Sequence, residues 1–181
     1  MRANRVRIIG GAWRSRLIAF PARRGLRPTP DRVRETLFNW LGQDLTGKTC
    51  LDLFAGSGAL GFEAASRGAR RVVMVERDAA VYRALAENRA ALGAAAVELR
   101  RADALEFLRA DDGVYDVVFL DPPFRARYWL RLAPRLPGRL AREALVYLES
   151  AEPPELAPGW QVHRQGHAGQ VWYQLLRWAQ P

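Results

Sequence analysis

In 181 residues the chain has one cysteine, Cys50, one lysine, Lys48, and two histidines. One cysteine excludes an intramolecular disulfide and a cysteine-built zinc cluster, and Cys50 within "TCLDLF" reads as a small buried hydrophobe. No apolar run approaches the ~20 residues of a membrane helix. The opening "MRANRVRIIGG" is basic and lacks the apolar stretch of a signal peptide. A reducing cytoplasm is the expected compartment, and a monomer the expected state. Internal repeats and low-complexity tails are also lacking. With 49% hydrophobic residues, the composition is that of one globular domain with a proper core.

The near-absence of lysine makes the positive charge an arginine charge. The net charge is +9 and the pI about 10.8. Such a surplus points to a polyanionic partner, nucleic acid first. Arginine forks onto phosphate and stacks on bases, which lysine does poorly. A biased genome would explain the choice of arginine but not its clustering. Arg2, Arg5, Arg7, Arg14, Arg16, Arg23, Arg24, Arg27, Arg32 and Arg34 crowd the start of the chain, opposed only by Asp31. Arg5, Arg7, Arg14, Arg16, Arg23 and Arg24 are the candidate RNA contacts.

Two textures divide the chain into residues 1–28, a basic hairpin extension, and 29–181, the main domain. "VRIIGGAWRSRLIAF" alternates about Gly10-Gly11, a hairpin signal. Thr29 suits the N-cap of a following helix and Pro30 its first position, with Val33, Leu37, Trp40 and Leu41 on one face. From about residue 48, strands ("TCLDLF", "RVVMVE", "VELRRA", "DVVFLD", "EALVYLES") alternate with helices. Asp78 and Gly93 bound the helix "DAAVYRALAENRAAL". "WQVHRQ" and "QVWYQLLRW", separated by "GHAG", read as a closing antiparallel pair. The fold expected is α/β: a mostly parallel sheet with helices on both faces, a C-terminal antiparallel hairpin and a small N-terminal one.

In such sheets the ligand lies beyond the carboxyl ends of the strands. Acids gather there: Asp52 before "FAGSGALG", Glu76, Asp103 after the third strand, and Asp121. The run "GSGALG" matches the G-x-G-x-x-G of dinucleotide enzymes, so a NAD-linked oxidoreductase competes. Charge separates the two. A pyrophosphate wants a helix N-terminus without nearby anions. S-adenosylmethionine (SAM) carries an ammonium and a sulfonium and no phosphate, and would welcome carboxylates. Glu76 can accept both ribose hydroxyls and Asp103 the adenine amine.

"VVFLDPPF" ends a buried strand in an acid, two prolines and a ring. Methyl transfer to the amine of a base is hard because the nitrogen lone pair is delocalised. Acceptors must hold both N–H groups so that the lone pair faces the methyl. Asp121 supplies one acceptor and the Pro122 carbonyl another, Pro122 and Pro123 stiffen the turn, and Phe124 can stack on the base.

"DPPF" with "LDLFAGSG" resembles the class I SAM-dependent amino-methyltransferases, with their Rossmann-like sheet. "RIIGGAWRSRLIAF" and "RPTPDRVRETLFNWL" are similar to the RsmD family, which methylates N2 of a guanine in bacterial 16S ribosomal RNA within the small subunit. The resemblance runs from about Arg7 to Phe124. It implies SAM as cofactor, held by Asp52, Phe54, Gly56, Ser57 and Gly58 of the loop, by Glu76 with Arg77, by Asp103 with Ala104, and by Asp121. It also implies that Thr29 and Arg32 cover the cofactor and that Asp121 to Phe124 form the catalytic motif. Sister families carry "NPPY" and act on protein amides and other bases, so a target such as DNA adenine N6 is the alternative within the class.

Trp40 is expected in the core, Trp13 is open to a stacking role, and Trp160, Trp172 and Trp178 are expected as core or cover. His163 and His167 are expected to be solvated. "RLAPRLPGRLAR", residues 131–142, is either a second phosphate-facing patch or a solvated helix face.

Overall fold

The computed structural model describes residues 4–23, 26–122, 128–153 and 155–179. Arg24, expected to touch RNA, Pro123, expected to stiffen the catalytic turn, and Phe124, expected to stack on the base, lie outside the described residues, as does Arg2.

Strands β1 (Asn4–Arg7) and β2 (Leu17–Phe20) form the N-terminal hairpin. Gly10-Gly11 is not its two-residue turn. A long loop with one 3₁₀ turn, Gly11–Trp13, joins the strands. Helix α1 (Asp31–Leu41) follows. The main sheet holds β3 (Thr49–Asp52), β4 (Arg71–Val75), β5 (Val97–Arg100), β6 (Tyr115–Leu120), β7 (Leu140–Ser150), β8 (Trp160–Ala168) and β9 (Val171–Trp178). Between them lie α2 (Ala59–Ser66), α3 (Ala79–Leu92), α4 (Ala104–Ala110) and α5 (Tyr128–Leu132). Asp78 caps α3 and Gly93 closes it, as the sequence predicts.

The strand order is β5-β4-β3-β6-β7-β9-β8, parallel from β5 to β7 and antiparallel beyond. From β3 the chain runs outward to β5, then returns to place β6 on the other flank of β3. The β3/β6 junction is therefore the topological switch point, where a ligand crevice opens. The β8–β9 turn falls at Gly169-Gln170, so β8 continues through most of "GHAG".

Side-chain alternation sorts the sheet into two cores. Cys50, Val72, Met74, Val117, Phe119 and Tyr147 face α1, α2, α3 and the hairpin. Leu51, Val73, Val75, Val118, Leu120 and Leu148 face α4 and α5. Cys50 is buried, and burial pushes its thiol up to about 12, which suits an inert packing residue. Trp40 is half-buried against Tyr173, with ring centres 5.5 Å apart. Trp160 is buried and lies edge-on between Trp129 and Trp178.

The hairpin shares the first core through Val6, Ile8, Ile18 and Phe20. Its polar anchor is Glu63 on α2, a fully buried carboxylate. Oε2 accepts from Ile9 N at 2.8 Å and Arg34 Nη1 at 3.2 Å, and Oε1 from Gly10 N at 2.8 Å and Arg67 Nε at 2.9 Å. Arg34 also donates to the carbonyls of Arg7 and Thr29. Arg34 is thus wholly buried and leaves the basic surface to which its sequence neighbourhood seemed to assign it.

Glu63→Ala should leave the buried Arg34 guanidinium with the exposed Asp31 as its remaining counter-charge and free the Ile9 and Gly10 amides. Loss of one partner of a buried pair costs about 3–5 kcal/mol. The expected fall in Tm is on the order of 10 °C, with hairpin amides losing hydrogen-exchange protection first. A melting temperature within a degree of wild type would show that Glu63 does not hold the hairpin in place.

Candidate active site

The glycine loop leaves β3 and enters α2. Gly58 caps α2 at φ +83°, and a Cβ there would lie 2.6 Å from the Phe62 ring. A Cβ on Gly61 would meet the Met74 sulfur at 2.7 Å, so this glycine lets α2 lie close on β4. The three glycines therefore divide the work between turn, cap and packing. Ser57 is buried, and its Oγ accepts from Ala59 N at 3.3 Å. Phe54 and Gly56 are half-buried, and Phe54 meets Tyr128 edge-on at 5.1 Å.

Asp52 is 2% exposed, and its Oδ2 accepts from Gly61 N at 3.1 Å. It braces the loop from beneath. Burial pushes its carboxyl up to about 7, loop amides at Phe54 and Gly61 pull it back, and the Glu76 charge adds to the rise. Glu76, at the exit of β4, accepts from Gly56 N at 3.1 Å on Oε2 and from Asp78 N at 2.7 Å on Oε1. Each oxygen keeps a lone pair free, which suits a vicinal diol above it. Asp103 caps α4 by accepting from Leu105 N at 2.9 Å, and Ala104 behind it is buried. Backbone bonds from Glu76 N to Arg100 O and from Ala102 N to Glu76 O join the exits of β4 and β5. Arg77 is exposed.

Across the switch point stands Asp121, one residue past β6, partly open to solvent, with Pro122 buried beside it. Burial, then the charges of Glu149 and Asp52, hold its carboxyl well above the usual range. Glu149, near the end of β7, is buried. Its Oε1 accepts from Thr29 Oγ at 2.8 Å and from Tyr147 OH at 2.8 Å. Burial raises Glu149 too, against the pull of those two donors. Thr29 is therefore not the N-cap of α1. Pro30 holds that position, and the Thr29 hydroxyl turns inward to Glu149 instead. Arg32 is exposed on the first turn.

The segment before α1 crosses this mouth. Arg16 donates to Ala91 O near the C-terminal end of α3, Ala19 exchanges two hydrogen bonds with Asn88, and Arg23 pairs with Asp78 at the N-terminal end, 3.6 Å away. The chain thus climbs α3 from foot to mouth. Leu26 then lies over Gly56, and Thr29 reaches Glu149. The basic stretch 131–142 divides: Arg139 and Arg142 flank the start of β7, at the end of the sheet opposite the strand exits, whereas Arg131 lies over the Tyr128 ring that meets Phe54.

The mouth thus gathers Asp52, Glu76, Asp103 and Asp121. The carboxyls of Asp52 and Asp121 are raised, first by burial and then by neighbouring carboxylates. Such a site favours a cationic ligand over a pyrophosphate, which argues against NAD. Glu149 and Tyr147 were missed from the sequence. The available signal is "YLES" at the end of the fifth strand, an exit acid like the other four.

The chain matches the family model described as conserved hypothetical protein 95 over residues 6–177. It is 45% identical over 180 residues to ribosomal RNA small subunit methyltransferase D of Escherichia coli (strain K12), covering 97% of this chain and 91% of that one. Its fold is similar to that of a solved structure described as putative methyltransferase yhhF from Escherichia coli. That match has a TM-score of 0.87 and 46% identity, and covers 98% of this chain and 100% of the other. An RNA methyltransferase from Salinibacter ruber, solved in complex with S-adenosyl-L-homocysteine, matches with a TM-score of 0.64 and 25% identity over 82% of this chain and 92% of its own.

Proposed function

Because the chain belongs to the conserved hypothetical protein 95 family, alongside the small-subunit ribosomal RNA methyltransferases D, we propose that it methylates the N2 amine of a guanine in bacterial 16S ribosomal RNA, using SAM. The observation that carries the reading is the carboxylate-lined switch point, with Asp121 on one side of it and the glycine loop with Glu76 on the other. Bound SAM would supply an electrophilic methyl on a sulfonium and take no part in holding the base.

The residues do the rest. Glu76 and Asp103 orient the nucleoside of the cofactor, and the glycine loop admits its amino-acid end. Leu26 and Thr29 belong to the segment that covers it, with Arg32 beside them. Asp121 and the Pro122 carbonyl hold the two amine hydrogens, so the lone pair points at the methyl. The departing amine proton passes to Asp121 or to water. Phe124 stacks on the base, which must leave its own stack to enter.

Incubation of the enzyme with methyl-labelled SAM and small subunits, naked 16S RNA or DNA from cells lacking the gene tests this. Label on guanine N2 of 16S RNA is expected. Label on DNA adenine, with none on RNA, would overturn the target.

Glu76 offers a test of the cofactor site. Glu76→Ala should weaken binding of SAM and its demethylated product by more than about tenfold, since charge-assisted bonds are lost. Glu76 also ties Gly56 and Asp78, so Glu76→Gln is the second variant: its one oxygen keeps the Asp78 amide, while its NH2 faces the Gly56 amide and one acceptor and the charge are gone. Calorimetry giving wild-type affinity for both variants would remove Glu76 from the ribose.

A further inference from the structure

Glu149 is a buried carboxyl beside the target-amine site that the methyl-transfer steps leave without a role. Strands β6 and β7 are parallel and in register through Val118↔Val146, Phe119↔Tyr147 and Leu120↔Leu148. One step further along each strand come Asp121 and Glu149, on the face shared by Phe119 and Tyr147. The cofactor residues Glu76 and Asp103 lie on the far flank of β3. The base must therefore enter from the β6/β7 side, with its amine at Asp121 and its adjoining edge toward Glu149.

The bonding of Glu149 is lopsided. Both of its donors, Thr29 Oγ and Tyr147 OH, are on Oε1. Among the described residues none donates to Oε2. The side chain is held at one oxygen, in a fixed pose, with the other left to accept.

We propose that Glu149 accepts the N1–H of the target guanine, so that Asp121 and Glu149 together select guanine among the bases that carry an amine. The inference rests on the guanine-N2 reading of the site. Adenine and cytosine each present an amine beside an unprotonated ring nitrogen, a donor next to an acceptor. Guanine alone presents its amine beside an N–H. Two neighbouring carboxylates meet two neighbouring donors only with guanine; with adenine or cytosine a lone pair would face Oε2. A buried polar group left unpaired or opposed is where discrimination is largest. The groups facing Glu149 fit this role. Tyr147, from its own strand, and Thr29, from the segment before α1, donate to it, while Asp121 and Asp52 are acids that gain from added N–H donors.

The test uses 16S RNA in which the target guanine is replaced by 2-aminopurine. That base keeps the 2-amine but has a bare N1 and no 6-oxygen, so a preference is assigned to N1 by its change in the Glu149 variant. Wild-type kcat/KM should favour guanine by at least about a hundredfold. Glu149→Gln keeps an oxygen for Thr29 and Tyr147 and can offer an amide N–H to a bare N1. Its guanine activity should fall about a hundredfold, and its preference for guanine over 2-aminopurine should shrink at least tenfold. Thr29→Val removes a donor from Oε1 and should leave that preference as in wild type, whatever it does to rate. A wild-type enzyme that accepts 2-aminopurine as readily as guanine would overturn the proposal without need of a variant. So would Glu149→Gln activity that falls equally on both RNAs. Absence of methyl transfer to guanine N2 by the wild type would instead bring down the functional reading and this inference with it.

Discussion

Asp121→Ala is expected to lower single-turnover methyl transfer by on the order of 10²–10³-fold, the scale for losing one preorganised acceptor of the transition state. Asp121→Asn should fall between it and wild type. Its amide oxygen still accepts an N–H, but a neutral oxygen stabilises the developing positive nitrogen less. SAM affinity should change far less than rate across the series, since the group acts in the chemical step. A SAM affinity that collapses in step with the rate would move Asp121 into the cofactor site.

Stability should go the other way. The Asp121 carboxyl is held well above its ordinary 3.8 by burial and by the charges of Glu149 and Asp52. As pH rises above about 4, the unfolded chain gives up this proton while the folded chain keeps it, so folding loses stability until the folded group also ionises. Asp121→Asn removes that loss. The variant should melt several degrees above wild type at pH 8, with the gap narrowing toward pH 4. Equal melting temperatures at both pH values would show that Asp121 carries no such burden.

The same carboxylates show which parts of the site are legible in the sequence. Asp52, Glu76, Asp103 and Asp121 stand at strand exits, and a strand exit is visible as the end of an apolar run. Asp78 and Gly93 bound α3 because capping is local chemistry. What stays hidden is long-range. Thr29 has every local mark of an N-cap, yet its hydroxyl finds Glu149, 120 residues away, at 2.8 Å. Arg34 sits among exposed arginines in the sequence and is buried by a glutamate on α2. Gly10-Gly11 suggests a tight turn, but Gly11 serves to bring the loop against α2, where a Cβ would lie 1.9 Å from Ser66 O. Each miss is a local preference overruled by a partner that only the fold supplies.

The arginines divide by the same logic, and this fixes the variant to make. Arg5 and Arg7 alternate with buried Val6 on β1, so both point to solvent. Arg14 is exposed in the hairpin loop. Arg16 is partly spent on Ala91 O and Arg23 on Asp78. The informative variant therefore neutralises Arg5, Arg7 and Arg14 to Gln and leaves the others. Val6, Ile8 and the Glu63 anchor are untouched, so the fold and SAM binding should survive. If the three contact phosphate, the log–log salt slope of RNA binding should flatten by roughly 0.7 per contact, about two in all. Affinity at low salt should fall by on the order of 10²-fold, with the deficit shrinking as salt rises. Deleting residues 1–28 would also remove Val6, Ile8, Ile18 and Phe20 from the core, along with Leu26 over Gly56, so it should impair SAM binding as well. A salt slope unchanged in the triple variant, with SAM binding intact, would mean that RNA docks on another face and that this arginine surface is not its landing site.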